Sequence, residues 1–513
     1  MKAKDAAPWA LAAIAVVVLA FSVVQAWRFT VDDTFITLRY ARNVAEGIGP
    51  TFNATGARAE GYTSLSWMLA LAVPHAMGLG MGPGLGALTV AKAMGVLATF
   101  ATVVVVARWA WTEALTDGDG NRTTAAWAGA TAATCYAAVP ATAIHAVSGM
   151  ETAFFTLLTT AMLATASRVV RDGRATSGLV GLALLGGLTR PEGNLVALVT
   201  LATTAALLPR GPRASLALRA VGGWALPVGA YEVWRLAYYG LPFPLPFYVK
   251  LTTTALAAGW PDVLEYLGGP LLHFGLLALP ALVVLARPAR SLWPTLAGIA
   301  SLVVFFVFPR QLMGYEHRYL APLDPSIGVL AGVGLARLLA PTSRLPTVVK
   351  NAAAASAIVV SVALETIPTH AHLSGWAGYG KSLARAHQRL GNDLLALGMP
   401  EGRLAISDAG AVPYLSRWWT LDMIGLNDAE IATTGRRDPA RILGERPDAV
   451  VLVSRREDRL ESPEWSLWER PIFDACIAAG FVPVGVPRHF ADDYWLWVLA
   501  RPESAVARGL GHP

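Results

Sequence analysis

The 513-residue chain is 54% hydrophobic and only 15% charged, with a mean hydropathy of +0.47. Soluble domains carry about a quarter charged residues, so the composition excludes a soluble globular protein and places the chain in a membrane. The net charge of +6 does not point to nucleic acid, because the basic residues fall in short loops between apolar runs, where they orient a protein in the bilayer. Two cysteines, Cys135 in an apolar run and Cys476 in the polar C-terminal part, exclude a disulfide framework, and neither has metal-ligand neighbours.

Lys2 and Lys4 precede an apolar run from Pro8 to Trp27, roughly 20 residues and long enough to span a bilayer. No clear small-residue cleavage site follows, so the run reads as a retained signal-anchor helix. Further runs of spanning length are centred near Leu97, Ala133, Leu158, Leu182, Leu201, Pro227, Leu279, Leu302, Leu330 and Ile358. The run from Ser64 to Leu79 decides the topology. If it lies in the interface, one side holds Lys2 and Lys4, Arg108 and Arg122, Arg168 to Arg174, Arg210 and Arg213, Arg287 and Arg290, and Arg337, Arg344 and Lys350. The positive-inside rule makes that side cytoplasmic. The expected architecture is a polytopic α-helical membrane protein with about eleven transmembrane helices, residues 64–79 forming an interfacial helix.

The other face then collects the unusual polar segments: Asp32 and Asp33, AEGYTS (59–64), SGMET (148–152), TRPEG (189–193), YYGLPFPLPFYVK (238–250) and GYEHRYLAPLD (314–324). Everything after Glu365 belongs there too, and its character changes. The runs RLAIS (403–407), DAVVLVS (448–454) and YWLWVLA (494–500), separated by helix-like segments, predict a small extracytoplasmic α/β domain over 366–513 beside a membrane domain over 1–365. No glycine-rich phosphate loop follows a strand, which leaves nucleotide binding unsupported.

Two adjacent carboxylates where the first span leaves the membrane suit a base acting on a lipid-borne substrate. Ile36, Tyr40 and Val44 recur at helical spacing, which predicts Asp33 as an N-cap and leaves Asp32 as the better base. A sugar on a lipid phosphate already has a good leaving group, so the leaving side needs positive charge, while the acceptor hydroxyl needs a carboxylate to take its proton. Arg39, Arg190, Lys250, His317 and Arg318, beside Tyr319, supply cations on the face that should be poor in them. Each has a plainer alternative. Arg190 paired with Glu192 or Glu151 would only hold helices together, Lys250 would snorkel to the headgroups, and His317 would be a hydrogen-bonding core residue. Glu60 and Tyr62 would be loop residues. There is no metal-ligand spacing, although Asp32, Asp33, Glu60 and Glu151 could supply oxygen ligands to a divalent metal if they converge.

DDTFITLRYARNVAEGIGPTFNATGARAEGYTS resembles the first external loop of the GT-C superfamily of polyprenyl-phosphate-sugar-dependent glycosyltransferases. SGMET, LTRPEGN, the YYG to YVK stretch, HRYLAPL, SDAGAVPYLS and DMIGLND are similar in order to the mycobacterial subgroup that adds terminal β-1,2-linked arabinofuranose. The resemblance implies an acidic catalytic or acceptor-positioning group in the first external loop, here Asp32 and Asp33, and juxtamembrane helices after the first span. It also implies a polyprenyl-phosphate sugar donor, an envelope glycan or glycolipid acceptor, and an inner-membrane location. Asp408, Asn427 and Asp428 would help grip the acceptor, or merely form turns. The rival readings are a flippase or transporter of lipid-linked sugars, which lacks the internal helix repeats of transporters, and a non-catalytic envelope assembly protein.

Overall fold

The computed structural model describes residues 3–79, 86–117, 121–252, 259–268, 279–309, 311, 313–340 and 346–511. Lys2, Arg344 and part of the run around Leu279 lie outside these residues. Within them, a helix occupies each expected apolar run. Five helices are long and apolar enough to cross a membrane: Ala7–Ala26 within α1 (Ala3–Ala26), Gly86–Asp117, Thr152–Asp172, Arg290–Val307 and Tyr315–Leu339. A sixth results if Arg122–Ala137 and Pro140–Val147, bent by 62°, form one broken span. Pro140 explains the break, since it cannot donate to the preceding turn and disfavours helix at the residue before it.

α2 (Asp33–Ala45) follows α1 after a six-residue link, 27–32, that contains turns at both ends. α3 (Leu65–Ala76) is the described core of the expected interfacial segment. At 1.5 Å per residue it is about 18 Å long, well short of the hydrocarbon thickness, and it packs on α2.

The chain forms two compact units. One comprises Met1–Trp27, Lys92–Val233 and Thr254–Gly375; the other comprises Arg28–Ala91, Trp234–Thr253 and Trp376–Pro513. These units are grouped by contact, whereas the boundary expected at residue 365 follows a change of hydropathy. Helix Thr347–Leu383 runs through that position without a break, and segments 28–91 and 234–253 group with the C-terminal part.

In the first unit, helix Asp324–Leu339 lies against Arg122–Ala137. The approach is close enough that a Cβ on Gly332 would overlap the Ala128 carbonyl oxygen. Such small-residue seams let membrane helices gain dispersion contact where water offers no hydrophobic drive.

The second unit holds a five-stranded sheet in the order β2-β1-β3-β5-β4. β1 (Arg403–Ile406), β2 (Trp419–Asp422) and β3 (Ala449–Ser454) are mutually parallel, and β4 (Val482–Ala491) and β5 (Tyr494–Ala500) close it antiparallel. Every residue of β3 is buried, as expected of a strand covered on both faces. Ala405, Val450, Leu452, Trp497 and Leu499 share a core with Ile472 and Cys476 of helix Glu469–Ala478. Alternation along β5 then turns Tyr494 to the opposite face from Trp497.

Candidate functional site

The chain from β1 to β2 leaves at the carboxyl end of β1 through Ser407, Asp408, Ala409 and Gly410 and enters helix Ala411–Ser416. Carboxyl ends of parallel strands next to a reversal of strand order are where open α/β sheets receive ligands. β1, flanked by β2 on one side and β3 on the other, is such a point.

Asp32 meets this loop. The Gly410 N–H donates to its Oδ2 and the Ala411 N–H to its Oδ1, both at 2.8 Å. A Cβ on Gly410 would overlap both the Asp32 carbonyl and its carboxylate, so position 410 must be glycine for this contact to form. The expectation that Asp33 caps α2 is corrected. α2 begins at Asp33, and Asp32, at φ −59° and ψ −40°, precedes it with helical backbone and no capping bond from its side chain. As residues, Asp32 and Asp33 are each half-buried.

Behind Asp32 lies a pair that the sequence reading did not assemble. His387 Nε2 is 2.6 Å from Asp408 Oδ2, and the Tyr494 hydroxyl donates to the same oxygen at 2.6 Å. Phe490 packs edge-on against His387 and Tyr494. His387 stands on a π-helical turn, Ala384–Gln388, of a kind that recurs at functional sites, and its Nδ1 is buried without a partner among the described residues. Burial raises the Asp32 carboxyl pKa to about 6, with the His387 charge opposing and the Asp408 charge adding to the rise. Burial alone would lower His387, but the hydrogen bond and charge of Asp408, and the charge of Asp32, leave it raised. Asp408 goes the other way. Burial pushes it up, yet His387 and the Tyr494 hydroxyl bring it below the ordinary value.

The other candidates in this unit serve neighbouring networks. Arg39 is buried, with its guanidinium donating to the Phe52 and Trp418 carbonyls, the Asn53 side chain and Thr420. Those contacts tie α2 and its loop to β2. Glu60 is ion-paired with Arg235 at 2.9 Å, both buried. The Tyr62 hydroxyl lies 3.2 Å from that of Tyr239, which donates to the Pro50 carbonyl. Lys250 is partly exposed in the last turn of helix Leu245–Thr252. DMIGLND is turn chemistry: Asp422 accepts the backbone N–H groups of Ile424, Gly425 and Asn427, and Asp428 caps helix Ala429–Thr434.

In the first unit, five candidates form one network. Arg190 sits in the break between helices Ser177–Thr189 and Pro191–Leu207 with extended backbone. It pairs with both Glu151 and Glu192, so the helix-holding contacts are present. Its guanidinium lies over the Tyr319 ring at 4.9 Å, as does that of Arg318 at 4.7 Å, and Arg318 donates to the Tyr319 hydroxyl. His317 stands apart, edge-on to Tyr266 and 3.9 Å from Glu265. Met313, Glu316 and His317 all have φ between 50° and 54°. Non-glycine residues rarely adopt such left-handed backbone, and strain of this kind gathers at functional sites.

Glu60 and Glu151 are each held by an arginine, and no group of three His, Cys, Asp or Glu gathers around a common ion position among the described residues. Cys135 and Cys476 are free and buried.

Taken with the helices, these features define a multi-pass membrane protein of the GT-C fold. The chain is similar over 98% of its length to ArnT from Cupriavidus metallidurans bound to undecaprenyl phosphate, with TM-score 0.61, 15% identity and 99% of that chain covered. It is similar over 86% to the oligosaccharyltransferase of Archaeoglobus fulgidus in the apo form, with TM-score 0.52, 12% identity and 69% of that chain covered. In sequence it is 32% identical over 224 residues to a terminal β-(1→2)-arabinofuranosyltransferase of Mycobacterium tuberculosis, a match that takes in 42% of this chain and 34% of that relative. Residues 380–498 match a family model described as a domain of unknown function (DUF8728).

Proposed function

We propose that the protein is a membrane glycosyltransferase. It moves a sugar, with arabinofuranose the first candidate, from a polyprenyl phosphate to a hydroxyl of an envelope glycan or glycolipid on the extracytoplasmic face of the bacterial inner membrane. The observation that carries this reading is Asp32: a half-buried residue just beyond the first span, its carboxylate held by two backbone N–H groups at the end of β1 beside His387 and Asp408. Likeness to the undecaprenyl-phosphate-bound ArnT supports the lipid carrier, and likeness to the arabinofuranosyltransferase supports the sugar.

In the reaction, the acceptor oxygen forms a bond to the anomeric carbon as the bond from that carbon to the phosphate oxygen breaks. The acceptor proton passes to the Asp32 carboxylate. The polyprenyl phosphate leaves with an additional negative charge, which a fixed cation is suited to meet; Lys250 is the candidate within the unit that holds Asp32. Within the other unit the candidates for an anionic group are Arg318 and Arg190, the latter paired with Glu151 and Glu192. Asp33 orients the acceptor next to the base.

The test is transfer by purified protein in liposomes from a small panel of labelled polyprenyl-phosphate sugars, arabinose and mannose included, to oligosaccharide acceptors. Transfer of one sugar that Asp32→Asn abolishes supports the reading. Donor binding with no transfer by the wild type would favour lipid transport or assembly instead, and full activity in both Asp32→Asn and Asp33→Asn would remove the proposed base.

A further inference from the structure

A second concave surface lies within the C-terminal part of the sheet-containing unit and shares no lining residue with the Asp32 cluster. It is a cavity of about 690 Å³ lined by Arg385, Arg389, Asp393, Arg488, His489 and Leu510, among others. Small-ligand sites occupy about 300–1,000 Å³, so the size suits a headgroup or a short phosphorylated glycan.

Both walls are built by departures from regular structure. One is the π turn Ala384–Gln388 and the residue after it, which carry Arg385 and Arg389. The other is the irregularity in β4, where pairing with β5 shifts between Val484 and Arg488 and Gly485, Val486 and Pro487 line the cavity. Bulges of this kind re-aim side chains. Arg488 and His489, which follow the shift, line the same cavity as the two helical arginines.

The charge is unbalanced. Arg488 pairs with Asp393 at 2.7 Å. Arg385 has only the Ser382 hydroxyl, at 3.3 Å, and neither Arg385 nor Arg389 has a carboxylate partner among the described residues. Like charges four apart on a helix repel, and the one carboxylate among the lining residues, Asp393, is paired with Arg488. An arginine pair so placed matches the oxygens of a phosphate group, which guanidinium groups bind in a planar, bidentate manner. Ala396, Leu397 and Leu510 add apolar wall, and a concave site encloses one group where a bilayer surface would ask for a flat or protruding patch.

We propose that this groove is an anion site that binds a phosphate group through Arg385, Arg389 and Arg488. The phosphate comes either from an anionic lipid headgroup or from a soluble phosphorylated glycan.

The experiment is calorimetric titration of pyrophosphate into the full-length protein in nanodiscs, comparing wild type with Arg385→Gln/Arg389→Gln. Both side chains are exposed, so the substitutions should leave the fold intact, and a thermal melt verifies this. Saturable binding in neutral phosphatidylcholine discs that weakens at least tenfold in the double variant, and is only partly recovered by Arg385→Lys/Arg389→Lys because an ammonium restores charge but not bidentate contact, supports the site. If the wild-type affinity is unchanged in phosphatidylglycerol discs, the ligand is soluble. If it falls there because headgroups compete, the ligand is lipid. Absence of saturable binding in neutral discs, or binding that the double variant retains in full, overturns the proposal. The readout requires no turnover, so it stands or falls separately from the proposed glycosyl transfer.

Discussion

His387 Nε2 and Tyr494 Oη converge on one oxygen, Asp408 Oδ2, each at 2.6 Å. Two residues beyond Asp408, the backbone N–H of Gly410 grips Asp32. The loop at the end of β1 therefore joins the buried His387 and its half-buried partner Asp408 to the half-buried Asp32. The pair adds a positive and a negative charge near Asp32, and burial adds the larger effect, leaving the Asp32 pKa at about 6.

A pH profile follows. As a base Asp32 acts only when ionised, so kcat/KM should climb about tenfold per pH unit up to pH 6 and flatten above it, since one pH unit below the pKa leaves about a tenth of the carboxylate ionised. Asp32→Asn should lower turnover by about 10²- to 10⁴-fold, the usual range for a positioned base. A wild-type rate that is flat from pH 4 to 7 would exclude Asp32 as the titrating group.

The charged pair predicts its own stability window. His387, raised above its ordinary 6.5, contributes stability that is complete below 6.5 and is lost as pH rises through its folded value. Asp408, lowered beneath its ordinary 3.8, contributes stability that is complete above 3.8 and is lost as pH falls through its folded value. The pair therefore stabilises most between about pH 4 and 6.5. Thermal melts of wild type minus Asp408→Asn should show their largest difference in that interval, about 3 kcal/mol, because removing one partner leaves a buried charge unpaired. A difference that is constant from pH 4 to 9 would mean the pair is not charged.

Gly410→Ala tests the geometry without touching a charge. The added methyl would fall on the Asp32 carbonyl and carboxylate, forcing the loop and Asp32 apart. A cost of about 1–3 kcal/mol is expected from such overpacking, with a loss of transfer near that of Asp32→Asn. Retained activity would show that the two N–H donors do not position the base.

Much of this arrangement was legible in the sequence, and the remainder for definite reasons was not. Alternating apolar runs locate helices because a bilayer demands about 20 apolar residues per span. The runs 403–407, 448–454 and 494–500 coincide with β1, β3 and β5 because buried strands read as continuous β-branched and aromatic stretches. β2, Trp419–Asp422, is as short as β1 but ends on a charged residue and so reads as no continuous apolar run, and β4 contains Pro483 and Pro487, which demote a strand read from sequence. The capping role given to Asp33 failed because Asp32 already has helical backbone. His387 was invisible because its partner and Asp32 are brought to it only by the fold: Asp32 and Gly410 are separated by 378 positions. Arg39 illustrates the converse. A cation on the active face looks free for substrate, yet its donors meet the carbonyls of Phe52 and Trp418, which no local pattern reveals.

Arg190 provides the test for the other unit. Its guanidinium joins Glu151 and Glu192 within the buried interior. Arg190→Gln leaves two carboxylates facing each other without a cation, which should cost about 3–5 kcal/mol. Adding Glu151→Gln and Glu192→Gln removes the stranded charges and should recover most of that loss, because the expense lies in the unpaired charge and not in the missing contact. If Arg190 also meets the donor phosphate, the triple variant should fold yet bind undecaprenyl phosphate at least tenfold more weakly than wild type. Equal binding would restrict Arg190 to joining the helices on either side of its break, and would leave Arg318, whose guanidinium lies over the same Tyr319 ring, as the cation of that network for the phosphate.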